Sequence, residues 1–238
     1  MTLKKILGLL LLSVSMFAFG CSDDSTSSSD QATVTTSTSM PSGTITGIAS
    51  KDPAIAAGTT CDSIVVTRAR IVISAMKLHH DEGDTAGMGT IKAGPFVAEW
   101  DSTGEQIIST VTIPPGTYDR IKFEIHKLDD NKDASLLNDS IFGDFVNGGR
   151  YTAIIDGWSY VNGVAYRFQF RTSRTENVMV FLNPSVTFGA GQTTNVALIF
   201  DPKIVFARAG QRPLDPRDTD NGKDIEKLIK DALKALKK

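Results

Sequence analysis

From Gly43 onward the apolar residues recur with a period of two. Ile121, Phe123 and Ile125 alternate with Arg120, Lys122, Glu124 and His126, and Tyr166, Phe168 and Phe170 alternate with Arg167, Gln169 and Arg171. Successive side chains of a strand point to opposite faces, so both runs predict half-buried antiparallel strands with one wet face. Ile71-Val72-Ile73 and Val196-Ala197-Leu198-Ile199-Phe200 are apolar on both faces and predict central strands. Further strands are expected within 96–100, 106–113, 151–160 and 177–182. Turn signals separate them. Pro114-Pro115-Gly116 fixes a bend, Asn147-Gly148-Gly149 and Val161-Asn162-Gly163 sit where hairpin turns belong, with Asn162-Gly163 between two alternating runs, and Gly189-Ala190-Gly191 breaks the next pair.

One stretch has helical spacing. Ile225, Leu228, Ile229, Ala232, Leu233 and Leu236 form an i, i+3, i+4, i+7 stripe, with Asp220 or Asn221 placed to cap its start and Lys234, Lys237 and Lys238 near its end. The pattern predicts a mainly β fold, an antiparallel β-sandwich of about eight strands over residues 44–210. An acidic loop and an amphipathic C-terminal α-helix follow over 211–238.

The N-terminus has a different composition. Lys4 and Lys5 precede an apolar run from Ile6 to Phe19, too short to span a membrane core comfortably, and the stretch reads as a secretory signal over residues 1–20. Ala18-Phe19-Gly20-Cys21 resembles the bacterial lipobox, with Phe19 a departure from it. The resemblance implies cleavage before Cys21 and lipid attachment to that cysteine. Residues 21–43 are rich in Ser and Thr and have little to bury, so a disordered tether reaching about 25 Å is expected. In enteric bacteria an aspartate directly after the cysteine favours inner-membrane retention. Here Ser22 precedes Asp23, which points to the outer membrane.

Charge and cysteine content narrow the picture. Cleavage removes Lys4 and Lys5 from 25 basic residues, leaving 23 against 27 acidic ones and a net charge of −4. A nucleic-acid partner calls for a basic surplus, so none is expected. With Cys21 lipidated, Cys61 has no partner within the chain and is expected to be a quiet thiol.

Three segments carry a resemblance to a known family. They are Ala69-Arg70-Ile71-Val72-Ile73-Ser74-Ala75-Met76-Lys77-Leu78-His79 with Gly94-Pro95-Phe96-Val97, then Ile113-Pro114-Pro115-Gly116-Thr117-Tyr118-Asp119-Arg120-Ile121-Lys122-Phe123, and Leu214-Asp215-Pro216. Together they resemble a family of uncharacterised bacterial lipoproteins with a prealbumin-like, carboxypeptidase-regulatory-like β-sandwich, over residues 44–216. The resemblance implies a surface binding or structural module and supplies no catalytic residues.

Candidate chemistry is sparse. His79-His80-Asp81-Glu82 is the densest metal-capable cluster, with His126 on another strand as a third imidazole, although adjacent strand histidines point to opposite faces. Asp129, Asn131 and Asp133 alternate like the start of a calcium loop, but Ala134 stands where glycine is needed and Ser140 where glutamate is. Asp218 and Asp220 offer further calcium ligands, while an ordinary helix cap explains them as well. Trp158 and Tyr160 share a face if their strand is regular, and exposed together they would stack on a sugar. No Gly-x-Ser-x-Gly, His-Glu-x-x-His or Walker pattern occurs.

The expectation is a non-enzymatic, membrane-anchored lipoprotein presenting a β-sandwich binding or structural module, with a carbohydrate or protein partner and no required cofactor. The alternatives are a metal-binding lipoprotein, with calcium or a transition metal, and a carboxylate-based hydrolase.

Overall fold

The computed structural model describes residues 31–46, 60–80, 91–207 and 211–237. The fold is mainly β and sandwich-like, with thirteen strands in three sheets among the described residues. The first sheet has the order β13 (Leu233–Lys237), β12 (Thr193–Phe200), β1 (Ala32–Ser39), β7 (Gln106–Ile113). The second runs β10 (Val164–Thr172), β9 (Ala153–Val161), β3 (Ser63–Ile73), and both β2 (Thr44–Thr46) and β6 (Phe96–Asp101) pair with β3. The third runs β11 (Glu176–Phe188), β8 (Gly116–Ile125), β4 (Ala75–His80), β5 (Ile91–Ala93). Only Ser74 separates β3 from β4, so one nearly continuous run of chain links the second and third sheets.

Inward side chains of all three sheets share one core. Ile71, Leu78, Phe123, Phe168 and Phe200 belong to it, and Trp100 donates its ring N–H to the Leu198 carbonyl at 2.8 Å. A smaller cluster lies on the other face of the second sheet, where Val72 and Ile154 meet Leu128, Phe142 and Phe145 from the 126–150 segment. The two clusters explain why Ile71-Val72-Ile73 is apolar throughout: the strand is covered on both faces. Pro114-Pro115-Gly116 forms the expected bend, closed by the Tyr118 hydroxyl, which donates to the Pro114 carbonyl at 2.9 Å. Asn162 (φ 51°) and Gly163 (φ 76°) make the β9–β10 hairpin turn, with both central residues at positive φ.

Three sequence expectations are corrected. The tether expected over 21–43 is contradicted in its second half, because Ala32–Ser39 is an inner strand, parallel to β12 and antiparallel to β7, while residues 21–30 lie outside the described residues. Its β-branched Thr and Val residues suit a strand, and its hydroxyls find partners. Thr36, Ser37 and Thr38 are buried, and their side chains donate to Met76 Sδ, Glu105 and the Gln106 carbonyl. The β1–β12 pair also makes the sandwich not wholly antiparallel.

The second correction concerns the C-terminal stripe, which is not one helix. α3 (Gly222–Ile229) ends at Ile229, the chain turns through Asp231 and Ala232, and β13 then pairs antiparallel with β12. Pairing with β12 satisfies a strand edge that a longer helix would leave bare. The third concerns Asn147-Gly148-Gly149, which joins no hairpin. It follows a helical turn, α1 (Gly143–Val146), within the 126–150 segment. A second short helix, α2 (Pro202–Phe206), is capped by Asp201 and follows β12.

Candidate functional site

The predicted ligands are dispersed. His79 and His80 end β4, where they pair with Arg120 and Tyr118 of β8, and the His80 ring lies 4.1 Å from that of Tyr118. His126 follows the far end of β8, six residues beyond Arg120, which is about 20 Å along a strand. Burial, followed by the Arg120 charge, lowers the His79 pKa below its ordinary value. His126 instead borders a recess lined by Asp129 and Asp133. There the carboxylates bond their own turn: Asp129 accepts from the backbone N–H groups of Asn131 (2.9 Å) and Lys132 (3.0 Å), and Asp133 accepts from that of Asp129 (2.8 Å). Asp218 likewise accepts from the Asp220 N–H at 3.0 Å and caps a 3-10 turn over Thr219–Asn221 that leads into α3. Among the described residues no three His, Cys, Asp or Glu side chains gather as a metal would require. Asp81 and Glu82 lie outside the described residues, as does Cys21.

Cys61 is buried, and its thiol lies 3.8 Å from the Pro213 carbonyl. Burial, reinforced by Asp215, pushes its pKa up to about 12, so it carries no thiolate at neutral pH. Trp158 and Tyr160 do share the outer face of β9, which holds an unbroken register with β10; Trp158 is exposed and Tyr160 half-buried.

The candidate site lies elsewhere on that sheet. A cleft of about 690 Å³ separates β6 and the start of β7 from the 136–147 segment. Its floor is built from the outward residues of β3. Arg68 makes a two-pronged pair with Glu99 of β6, both bonds 2.7 Å long. Arg70 is only 5% exposed and holds two carboxylates, Asp144 at 2.5 Å from the α1 side and Asp156 of β9 at 3.5 Å. Its guanidinium also lies 5.7 Å from the centre of the Phe145 ring, while its Nε is buried without a hydrogen-bond partner. Gln169 of β10 donates to the other oxygen of Asp156 at 2.8 Å. The rim is apolar, with Ile107 71% exposed and Ile141 62% exposed.

Sequence reasoning passed over this site, although a signal was present. Arg70 interrupts the apolar run Ala69 to Ile73, and Asp156 follows Ile154-Ile155, so each is a charge inside a strand that reads as buried. The hydrogen bond and charge of Arg70 hold the Asp144 carboxyl below its ordinary range, the reverse of what a general acid in a hydrolase needs. The arrangement is suited to binding. It offers fixed opposite charges on the floor, apolar contact on the rim, and two strands, β6 and β7, that each pair on one side only among the described residues. Comparison with protein-family models, with curated proteins and with solved structures finds no match to this chain.

Proposed function

We propose that this protein is a lipid-anchored protein of the bacterial envelope whose β-sandwich binds a partner polypeptide in the cleft over Arg68 and Arg70. One observation carries the reading: an open, ligand-sized cleft joins ion-paired arginines to exposed isoleucines beside edges of β6 and β7 that are unpaired among the described residues. An extended segment laid there would pair its backbone with an edge strand, place apolar side chains against Ile107 and Ile141, and meet the charged floor with its polar groups. The lipobox-like Ala18-Phe19-Gly20-Cys21 supports anchoring through Cys21, and Ser22 ahead of Asp23 supports the outer membrane.

The test places a photo-crosslinking residue at Ile107, at Ile141 and, as a control, at Val164 on the β9–β10 hairpin. Expected are protease-sensitive adducts of one size from both isoleucine positions in cells, lost when Arg70 is replaced by Met, with none from Val164. Adducts equally abundant from Val164, or none from either isoleucine, would refute the cleft reading. Labelling with palmitate in wild-type protein and not in Cys21→Ser tests the anchor separately.

A second reading, glycan stacking, rests on Trp158, which is 41% exposed on the face it shares with Tyr160. Trp100 is buried, so a polysaccharide that shifts the tryptophan emission of the native protein would act through Trp158.

A further inference from the structure

The outer face of the third sheet carries charge of the opposite sign to the chain as a whole. Register places Met179, Lys122, Lys77 and Lys92 opposite one another across β11, β8, β4 and β5, and Phe181 beside Arg120 in the next outward row. Four cations therefore share one sheet face. Glu124 bridges Lys77 (2.6 Å) and Lys122 (2.9 Å), and Asp119 pairs with Arg120 at 3.1 Å, which leaves a positive surplus on this face among the described residues. Lys92 is exposed. Phe181, at 67% exposure, and Met179, at 41%, present apolar surface at the β11 side of the same cations.

The N-terminal end of the described chain meets this sheet. The Gln31 carbonyl accepts from the Gly191 N–H at 2.8 Å, in the turn that follows Phe188 at the end of β11, and Phe188 pairs with Gly116 at the start of β8. The Phe181–Arg120 row is four residues along β8 from Gly116, about 13 Å. Cys21 lies ten residue steps before Gln31, which in any conformation span at most about 36 Å. A lipid on Cys21 therefore keeps this face within one short leash of the bilayer.

We infer that the outer face of the third sheet docks on an anionic phospholipid surface, with Lys77, Lys92, Arg120 and Lys122 drawn to the headgroups and Phe181 entering the interface. The cleft lies on the second sheet and would remain open to a partner. The lipid-anchor reading supplies the leash, whereas the charge and the exposed phenylalanine stand without it. Each cation near such a surface strengthens binding about fivefold, and salt screens the effect.

The experiment uses residues 21–238 carrying Cys21→Ser, so that no acyl chain contributes. Co-sedimentation is measured with phosphatidylcholine vesicles, with and without about 30 mol% phosphatidylglycerol. Binding is expected only to the anionic vesicles, and it should be lost at about 0.5 M salt. Lys92→Glu should weaken it at least tenfold, and Phe181→Ala severalfold, with the melting temperature of both variants unchanged. Equal binding to neutral vesicles, no binding to anionic ones, or wild-type affinity in Lys92→Glu would overturn the proposal. So would retention on a soluble anionic polysaccharide without vesicle binding. Absence of palmitate label in wild-type cells would remove the anchor and leave the vesicle result to be judged by itself.

Discussion

Arg70 is the side chain on which the cleft floor turns, and the structure sets what its loss should cost. Its side chain is 7% exposed, and of its two partners Asp156 is 12% exposed while Asp144 is 58% exposed. Replacing Arg70 with Met leaves Asp144 free to return to water and strands Asp156 in the sheet without its cation. Breaking a buried pair from one side costs about 3–5 kcal/mol, so that is the expected destabilisation. Asp144→Asn removes only the solvated partner and should cost less than about 1 kcal/mol. The double variant Arg70→Met/Asp156→Leu removes the stranded charge as well and should recover most of the loss, since an apolar pair of similar volume often matches a buried ion pair. Urea unfolding reads all of these. With a slope of about 2 kcal/mol per molar, Arg70→Met should lower the midpoint by roughly 1.5–2.5 M. Equal effects of Arg70→Met and Asp144→Asn, or a double variant as unstable as the sum of the singles, would refute the assignment of the cost to Asp156.

Three further outcomes are expected. A chain starting at residue 31 should fold and one starting at residue 40 should not, as judged by the cooperativity of its thermal unfolding, because β1 lies between β12 and β7. Cys61, buried and with its pKa pushed up to about 12, should resist iodoacetamide in the native protein and react fully in denaturant, as read by intact mass. Hydrogen bonds from Lys77 and then Lys122 hold the Glu124 carboxyl at about 2, against an ordinary 4.5. The unfolded chain therefore takes up this proton first, and the contribution of Glu124 is complete above pH 4.5 and lost as the pH falls towards 2. It amounts to roughly 1–2 kcal/mol once solvent screening is allowed for, and Glu124→Gln should flatten the stability profile across that window.

The period-two runs made the β class legible because each strand they mark has one face on the shared core. Phe168 and Phe170 face inward while Arg167 and Gln169 face out, as their alternation implies. Composition misled at β1. Ala-Thr-Val-Thr-Thr-Ser-Thr-Ser reads as solvated linker when burial is judged by hydrophobicity, yet Thr has the shape of Val, and within a sheet its hydroxyl is satisfied by neighbours such as Met76 and the Gln106 carbonyl. Those neighbours lie 40 and 68 residues away along the chain, and no local pattern contains them. The C-terminus misled for a related reason. Ile225, Ile229, Ala232 and Leu233 are all buried at helical spacing, but Leu233 is buried because it opens a strand on β12. A stripe of burial records contact with the core and leaves open the backbone path that provides it.

The same distinction separates the residues singled out for chemistry from those that form the cleft. His79, Asp129 and Asp218 drew attention because polar groups sit near one another in sequence, and local turns and strand ends are what such proximity produces: Asp129 and Asp218 each accept from a backbone N–H two residues on. Arg70 and Asp156 have no counter-ion near them in sequence, lie 86 residues apart, and meet only across the β3–β9 pair. A buried charge without local company must find its counter-ion through tertiary structure, because unpaired burial costs several kcal/mol. An isolated charge in a strand that is otherwise apolar is therefore the better sequence marker of a site assembled by the fold. In this chain it marks the floor of the cleft, where Arg70 holds Asp156 within the sheet and Asp144 at its edge.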